Sequence, residues 1–260
     1  MDCVLIAGGR PAPQDPLYDE TQGKPKALLE IDGRPIVEFV LQALLEAQSI
    51  DRVVLVGLDS GTDLNLNQAA DMIADQGGLV ANGLAGLSRL QEDRPETRHV
   101  LFSSADIPAV NSFIVDDIVT ACRPFDKAAY YFMVDRRTME GSFPDSGRSF
   151  VSLKDMQVAG ADMFIADARL AGDNPHLIHE MAAGRKRPWK LARIVGTGTL
   201  LALWLHRLTL AGIERRAERV IGRPVSVQLT AHAQLAMDVD KPEQLLLLRR
   251  ALAGSVTRRR

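Results

Sequence analysis

Val4-Leu5-Ile6-Ala7-Gly8-Gly9-Arg10 is a short apolar run that stops on two glycines and a cation. Such a run bounded by glycine reads as a buried strand, and the glycines let the backbone turn tightly and present N–H groups to an anion, to which Arg10 adds charge. A strand ending in two glycines is common, so its meaning depends on the rest of the chain. Outward from it, Ile36–Ala47 has helical periodicity, Val53–Gly57 reads as a strand, the stretch around Asn67–Ala74 as helical, Val100–Ser103 as a strand and Ser112–Cys122 as a helix. Strands alternating with helices predict a mainly parallel sheet covered on both faces, a Rossmann-like α/β fold.

The second half changes character. Ala129–Val134 and Phe150–Leu153 read as strands around a polar stretch, Asp135–Arg148, with the composition of a mobile flap. A further strand is expected at Met163–Ala166, and a basic helical insertion from Pro175 to about Ile221. Val225–Leu229 and Gln234–Met237 return to strand, and Pro242–Leu252 closes the chain as a helix. A single domain is expected.

With 260 residues and 46% apolar side chains, the chain can bury a full core. A net charge of −2 argues against a general nucleic-acid binder, which carries a clear basic excess. Cys3 and Cys122 sit among apolar neighbours and read as buried thiols, and no stretch is long and apolar enough to span a bilayer. The expectation is a cytoplasmic protein without a membrane span; its oligomeric state, a homodimer among the options, is open.

Two acidic segments, Ser104-Ala105-Asp106-Ile107-Pro108 and Met237-Asp238-Val239-Asp240-Lys241-Pro242, each come after an apolar run. A carboxylate where a strand stops lies where an open α/β sheet builds its ligand site, and two such segments meeting in space can hold one divalent metal. Taken alone, Asp240 with Glu243 also fits a capping box, and Asp106 before Ile107-Pro108 a turn. Gly23-Lys24-Pro25-Lys26-Ala27-Leu28 holds lysines against a rigid proline, and a lysine held so can neutralise a polyphosphate. The run Arg185-Lys186-Arg187-Pro188-Trp189-Lys190 suits an acidic acceptor or a solvated face, and His176, His179, His206 and His232 lack the spacing of a metal site.

Ala7-Gly8-Gly9, Lys26-Ala27-Leu28 with Gly33-Arg34-Pro35-Ile36, Ala105-Asp106-Ile107-Pro108 and Asp238-Val239-Asp240-Lys241-Pro242-Glu243 occur in the order of a known family. In this the chain resembles nucleotidyltransferases of the molybdenum-cofactor guanylyltransferase-like and sugar-phosphate type over nearly its whole length. The resemblance implies a glycosyltransferase-A-like Rossmann fold that binds a nucleoside triphosphate, uses Mg²⁺ and joins the nucleoside monophosphate to a phosphorylated acceptor, releasing pyrophosphate. Carried over residue by residue, Ala7, Gly8, Gly9 and Arg10 line the phosphates, Lys26 contacts them, Asp106 and Asp240 bind the metal with Asp238 beside them on one strand face, and Asn82 and Gly83 meet the base or ribose. Gly160 and Asp162 fall where relatives touch the acceptor, so that Asp162 offers a carboxylate where an amide is expected; Lys186 joins them on the acceptor side. Arg10 departs from the pattern by opening a longer loop, Pro11–Tyr18, stiffened by proline. Two rivals stay open: a glycosyltransferase using a nucleotide-sugar, from the Asp-Xaa-Asp of Asp238–Asp240, and a non-catalytic nucleotide-binding or DNA-binding module, from the basic helical segment Leu208–Ile221.

Overall fold

The computed structural model describes residues 1–59, 61–65, 70–173 and 207–256. Its strands are β1 Asp2–Ile6, β2 Glu30–Ile31, β3 Arg34–Pro35, β4 Arg52–Val56, β5 Asp71–Ile73, β6 His99–Ser104, β7 Ala129–Asp135, β8 Val151–Ser152, β9 Gln157–Asp167 and β10 Val225–Thr230. The helices are α1 Tyr18–Thr21, α2 Ile36–Glu46, α3 Leu79–Asp93, α4 Ser112–Ala121, α5 Arg136–Ser142, α6 Leu170–Asp173, α7 Leu210–Ile221 and α8 Pro242–Val256, with 3₁₀ turns at Lys26–Leu28 and Ala233–Ala236. Eight strands form one sheet in the order β10-β7-β9-β6-β1-β4-β5, with β8 added to β9. β6, β1, β4 and β5 run parallel, β10 is parallel to β7, and β9 lies antiparallel between β7 and β6.

Both faces of the parallel half are buried, because successive side chains of a strand point to opposite faces. Cys3, Leu5, Val53, Leu55 and Leu101 join α2 and α4 in one core, while Val4, Val54, Val56, Val100 and Phe102 join Leu87 and Leu90 of α3 in another. Both cysteines are buried thiols. The sheet order reverses at β1: the chain goes from β1 to β4 on one side and later reaches β6 on the other. The crevice beyond the carboxyl ends of β1 and β6 is therefore the place for a ligand.

Four segments depart from expectation. Asp71–Ile73 is a strand, since pairing with Val54–Val56 along the edge of the sheet overrides a weak helical pattern; residues 66–69 of that stretch lie outside the described residues. Leu79–Asp93 is a helix that the pattern obscured, because Asn82, Gly83 and Gly86 dilute its apolar stripe. Gly86 is small for a packing reason: a Cβ there would lie 2.4 Å from Val4 Cγ1, so the helix can settle on β1 only without it. Arg136–Ser142, expected in a flap, is helical because the Asp135 carboxylate accepts from the N–H groups of Arg137 (2.7 Å) and Thr138 (3.1 Å) while Met139 is buried below. Gln234–Met237 is not a strand: Ala233–Ala236 is a 3₁₀ turn whose Leu235 and Ala236 are fully buried beside β9. Within the expected insertion, α7 packs on β10 at the edge of the sheet, and residues 174–206 lie outside the described residues.

Candidate active site

A cleft of about 240 Å³ opens beyond β1 and β6, lined by Ala7, Gly8, Gly9, Lys26, Gly78, Leu79, Asn82 and Asp106 among others. Its first wall is the glycine turn. Ala7 N–H donates to the Val56 carbonyl (2.7 Å), which ends β1 against β4. Gly8 is forced by crowding: a Cβ would fall 2.4 Å from Asp75 Oδ1 and 2.5 Å from Asn82 Nδ2. Those two atoms are themselves bonded at 2.8 Å, and the buried Asn82 also accepts from the Gln76 N–H (2.7 Å). Asn82 thus pins the loop that leads into α3 and fixes Gly78 and Leu79 at the rim. Behind Gly8, Gly57 has φ +114° and a Cβ there would lie 2.1 Å from Gly8 N, so glycine is required on both counts.

The second wall is acidic. Asp106 comes just after β6, and its backbone carbonyl accepts from Val239 N–H at 3.0 Å, which joins the two acidic segments across the crevice. Val239 is fully buried between Asp238 and Asp240, whose carboxylates gather with that of Asp106 although no strand is formed at residues 237–240. One carboxylate oxygen from each of Asp106, Asp238 and Asp240 lies within 4.8 Å of the other two. Asp240 is not occupied as a cap; its N–H donates to Gln244 Oε1 (2.9 Å), leaving its carboxylate for the site.

Two cations balance these groups. Lys26, whose N–H donates to the Gly9 carbonyl (2.9 Å), runs its stem past Gly9 and places Nζ on Asp106, on Asp240 Oδ1 (2.6 Å) and on the Val239 carbonyl (3.3 Å). Burial opposes the charge on Lys26, but the Asp106 and Asp240 carboxylates outweigh it and hold the ammonium above its ordinary range. Arg148 is the second cation, bonded to Asp238 and, through Nη2, to Asp162 Oδ2 and the Gly160 carbonyl, each at 3.2 Å. Burial pushes Asp162 up to about 8, helped by Asp106 and Asp238 and opposed by Arg148 and Lys26. Burial also raises Asp238 against the pull of Arg148.

Lys26, Asp106, Asp238, Asp240, Gly160 and Asp162 therefore converge, and Ala7, Gly8, Gly9 and Asn82 line the adjoining cleft. Asp162 reaches the centre because β9 carries extra residues there: Tyr131 pairs with Phe164, but Met133 pairs with Gly160, and such a bulge re-aims a side chain. Gly83 faces Ile6 and Phe102 on the sheet and is not among the cleft residues. Arg10 is exposed and outside the lining, while Lys186 lies outside the described residues. His232 is paired with Asp117 at 2.8 Å, apart from the acidic cluster. Arg148 went unread in the sequence, since it lies in a polar stretch with no motif around it.

The family model for the MobA-like NTP transferase domain matches residues 3–254. A solved protein from Thermus thermophilus, described as a hypothetical transferase, superposes with a TM-score of 0.80 at 32% identity, over 94% of this chain and 98% of that one. CMP:2-keto-3-deoxy-manno-octonic acid synthetase in complex with CTP shares the fold at 12% identity and a TM-score of 0.57, over 98% of this chain and 99% of its own. So does 4-diphosphocytidyl-2C-methyl-D-erythritol synthase from Anaerococcus prevotii, at 12% identity and 0.55, over 97% and 95%. No curated protein sequence matches.

Proposed function

Because the chain belongs to the MobA-like NTP transferase family and is a nucleotidyltransferase, we propose that it transfers a nucleoside monophosphate from a triphosphate to a phosphorylated sugar, polyol or cofactor with the aid of Mg²⁺. The observation that carries this reading is the meeting of Lys26 with Asp106 and Asp240 beside the Gly8-Gly9 turn, where β1 and β6 end.

The donor set fits the metal: three carboxylates offer hard oxygens close enough to share one ion, which suits Mg²⁺. Asp106, Asp238 and Asp240 would hold it, and when bound it supplies charge neutralisation and a template for the triphosphate. The turn faces the polyphosphate with the backbone N–H groups of Gly8 and Gly9, that of Ala7 being taken by the Val56 carbonyl, and Lys26 stands at its edge as a fixed positive charge. In the reaction an oxygen of the acceptor's phosphate attacks the α-phosphorus, the bond from that phosphorus to the bridging oxygen breaks, and pyrophosphate leaves with that electron pair. The acceptor phosphate is already ionised at neutral pH, so no side chain need remove a proton, in keeping with a site built of carboxylates and cations. Gly160, Asp162 and Arg148 face the acceptor side, and Asp162 suits a hydroxyl-bearing acceptor, since a carboxyl group accepts from hydroxyls in either protonation state and also donates when protonated.

The test is pyrophosphate release from CTP, GTP, UTP and ATP with Mg²⁺ against a panel of sugar and polyol phosphates, for the wild type beside Asp106→Ala. Release with one pair of substrates, lost in the variant, supports the reading. Release of a free nucleoside diphosphate from a nucleotide-sugar instead, or turnover indifferent to Asp106→Ala, overturns it.

A further inference from the structure

Resting on the proposed metal site of Asp106, Asp238 and Asp240, we propose that Arg148 is an internal counter-ion of Asp238 that a divalent cation must displace, and that its displacement turns the guanidinium to the acceptor side. Arg148 reaches the acidic cluster from the Phe143–Phe150 loop, which Lys241 holds by donating to the Gly147 carbonyl at 2.9 Å. Its side chain is 16% exposed and has three partners: Asp238 Oδ1, Asp162 Oδ2 and the Gly160 carbonyl. Asp238 is one of the three carboxylates that come together for a cation, so Arg148 is paired with a carboxylate of that set.

Charge sets the direction of the exchange. Asp106, Asp162, Asp238 and Asp240 face Lys26 and Arg148, four acidic groups against two basic ones. A guanidinium and a divalent cation on one carboxylate group repel strongly in a half-buried site. The cation carries the larger charge on a smaller radius and shares two further carboxylates, Asp106 and Asp240, with Lys26, whereas Arg148 has Asp162 and the Gly160 carbonyl to fall back on. Once off Asp238, the fork of N–H donors that served it is free beside Asp162, where an anionic acceptor group is to be held. Metal binding thus precedes acceptor binding and prepares for it. Lys26 differs in that it stands on the glycine-turn side and bridges Asp106 and Asp240.

The experiment is Mn²⁺ binding to the full chain without nucleotide, tracked by the paramagnetic resonance of free Mn²⁺, for the wild type, Arg148→Met, Arg148→Lys and Asp238→Asn, with melting temperatures in EDTA as the check on folding. Removing a competing charge tightens Mn²⁺ in Arg148→Met by about tenfold or more, leaves Arg148→Lys in between, and Asp238→Asn weakens it by a similar factor. Unchanged or weaker Mn²⁺ binding in a folded Arg148→Met, with Asp238→Asn still weakened, overturns the counter-ion role and leaves the metal site standing. A wild type that does not bind Mn²⁺, or an Asp238→Asn that binds it equally well, overturns the metal site and the counter-ion role with it. Should Arg148→Met not fold, Arg148→Gln keeps hydrogen bonding without the charge and must show the same tightening.

Discussion

Replacing Gly8 by alanine tests how the glycine turn and the α3 entry loop depend on each other. The added Cβ would lie 2.4 Å from Asp75 Oδ1 and 2.5 Å from Asn82 Nδ2, roughly 1 Å closer than an ordinary contact. Asp75 is on a loop and can swing away, but Asn82 is 1% exposed and fixed on a helix. Relief therefore breaks the Asn82–Asp75 bond (2.8 Å) and strains the bond from Gln76 N–H (2.7 Å). A buried amide left without partners costs about 1–3 kcal/mol and overpacking costs about as much, so Gly8→Ala is expected to lose about 3 kcal/mol. Asn82→Ala alone is expected to lose about 2 kcal/mol, and the double variant less than the sum by about 1–2 kcal/mol, because the clash partner is gone. Urea denaturation of the four proteins measures this cycle, and the rise in melting temperature on adding a triphosphate with Mg²⁺ measures the site. A Gly8→Ala within about 0.5 kcal/mol of the wild type, or strict additivity with Asn82→Ala, would refute the crowding argument.

Three further outcomes are expected. Gly57→Ala combines a φ of +114° with a Cβ 2.1 Å from Gly8 N, and urea denaturation should show a loss of about 3 kcal/mol, with triphosphate binding weakened as the turn is pushed forward. Asp106→Asn and Asp240→Asn should each weaken Mn²⁺ binding and lower turnover by about 100-fold or more, read by titration and by pyrophosphate release; full activity in either refutes its place as a ligand. Asp167, buried at the end of β9, opposes its desolvation with bonds from Arg169 and Arg223 and is held well below the usual carboxylate range. With a folded-state pKa below the unfolded value near 3.9, its contribution is full above about pH 5 and is lost as pH falls towards that lower pKa. Asp167→Asn should therefore cost about 2 kcal/mol at pH 7, the partner arginines being partly solvated, and the gap between variant and wild type should begin to narrow near pH 4 and keep shrinking as the pH is lowered further.

The sequence by itself determined the α/β class, the burial of β1, β4 and β6, and the identity of the acidic and basic groups, because those rest on local signals. An apolar run that stops on Gly8-Gly9, or a carboxylate straight after a strand, is written in consecutive residues. The sequence also named Lys26, Asp106 and the Asp238–Asp240 pair, but not why they meet. That is decided by a single backbone bond from Val239 to Asp106 and by Lys26 reaching over Gly9, contacts between residues far apart in the chain. Where local and tertiary preferences conflict, the tertiary term prevailed: Asp71–Ile73 became a strand because an edge of β4 lay open to it, and α3 kept glycines that weaken a helix because Val4 leaves no room for a larger residue. Arg148 and the bulge that delivers Asp162 have no local signature at all. A lone arginine in a polar loop acquires its meaning from the three oxygens that surround it, and only folding brings those together.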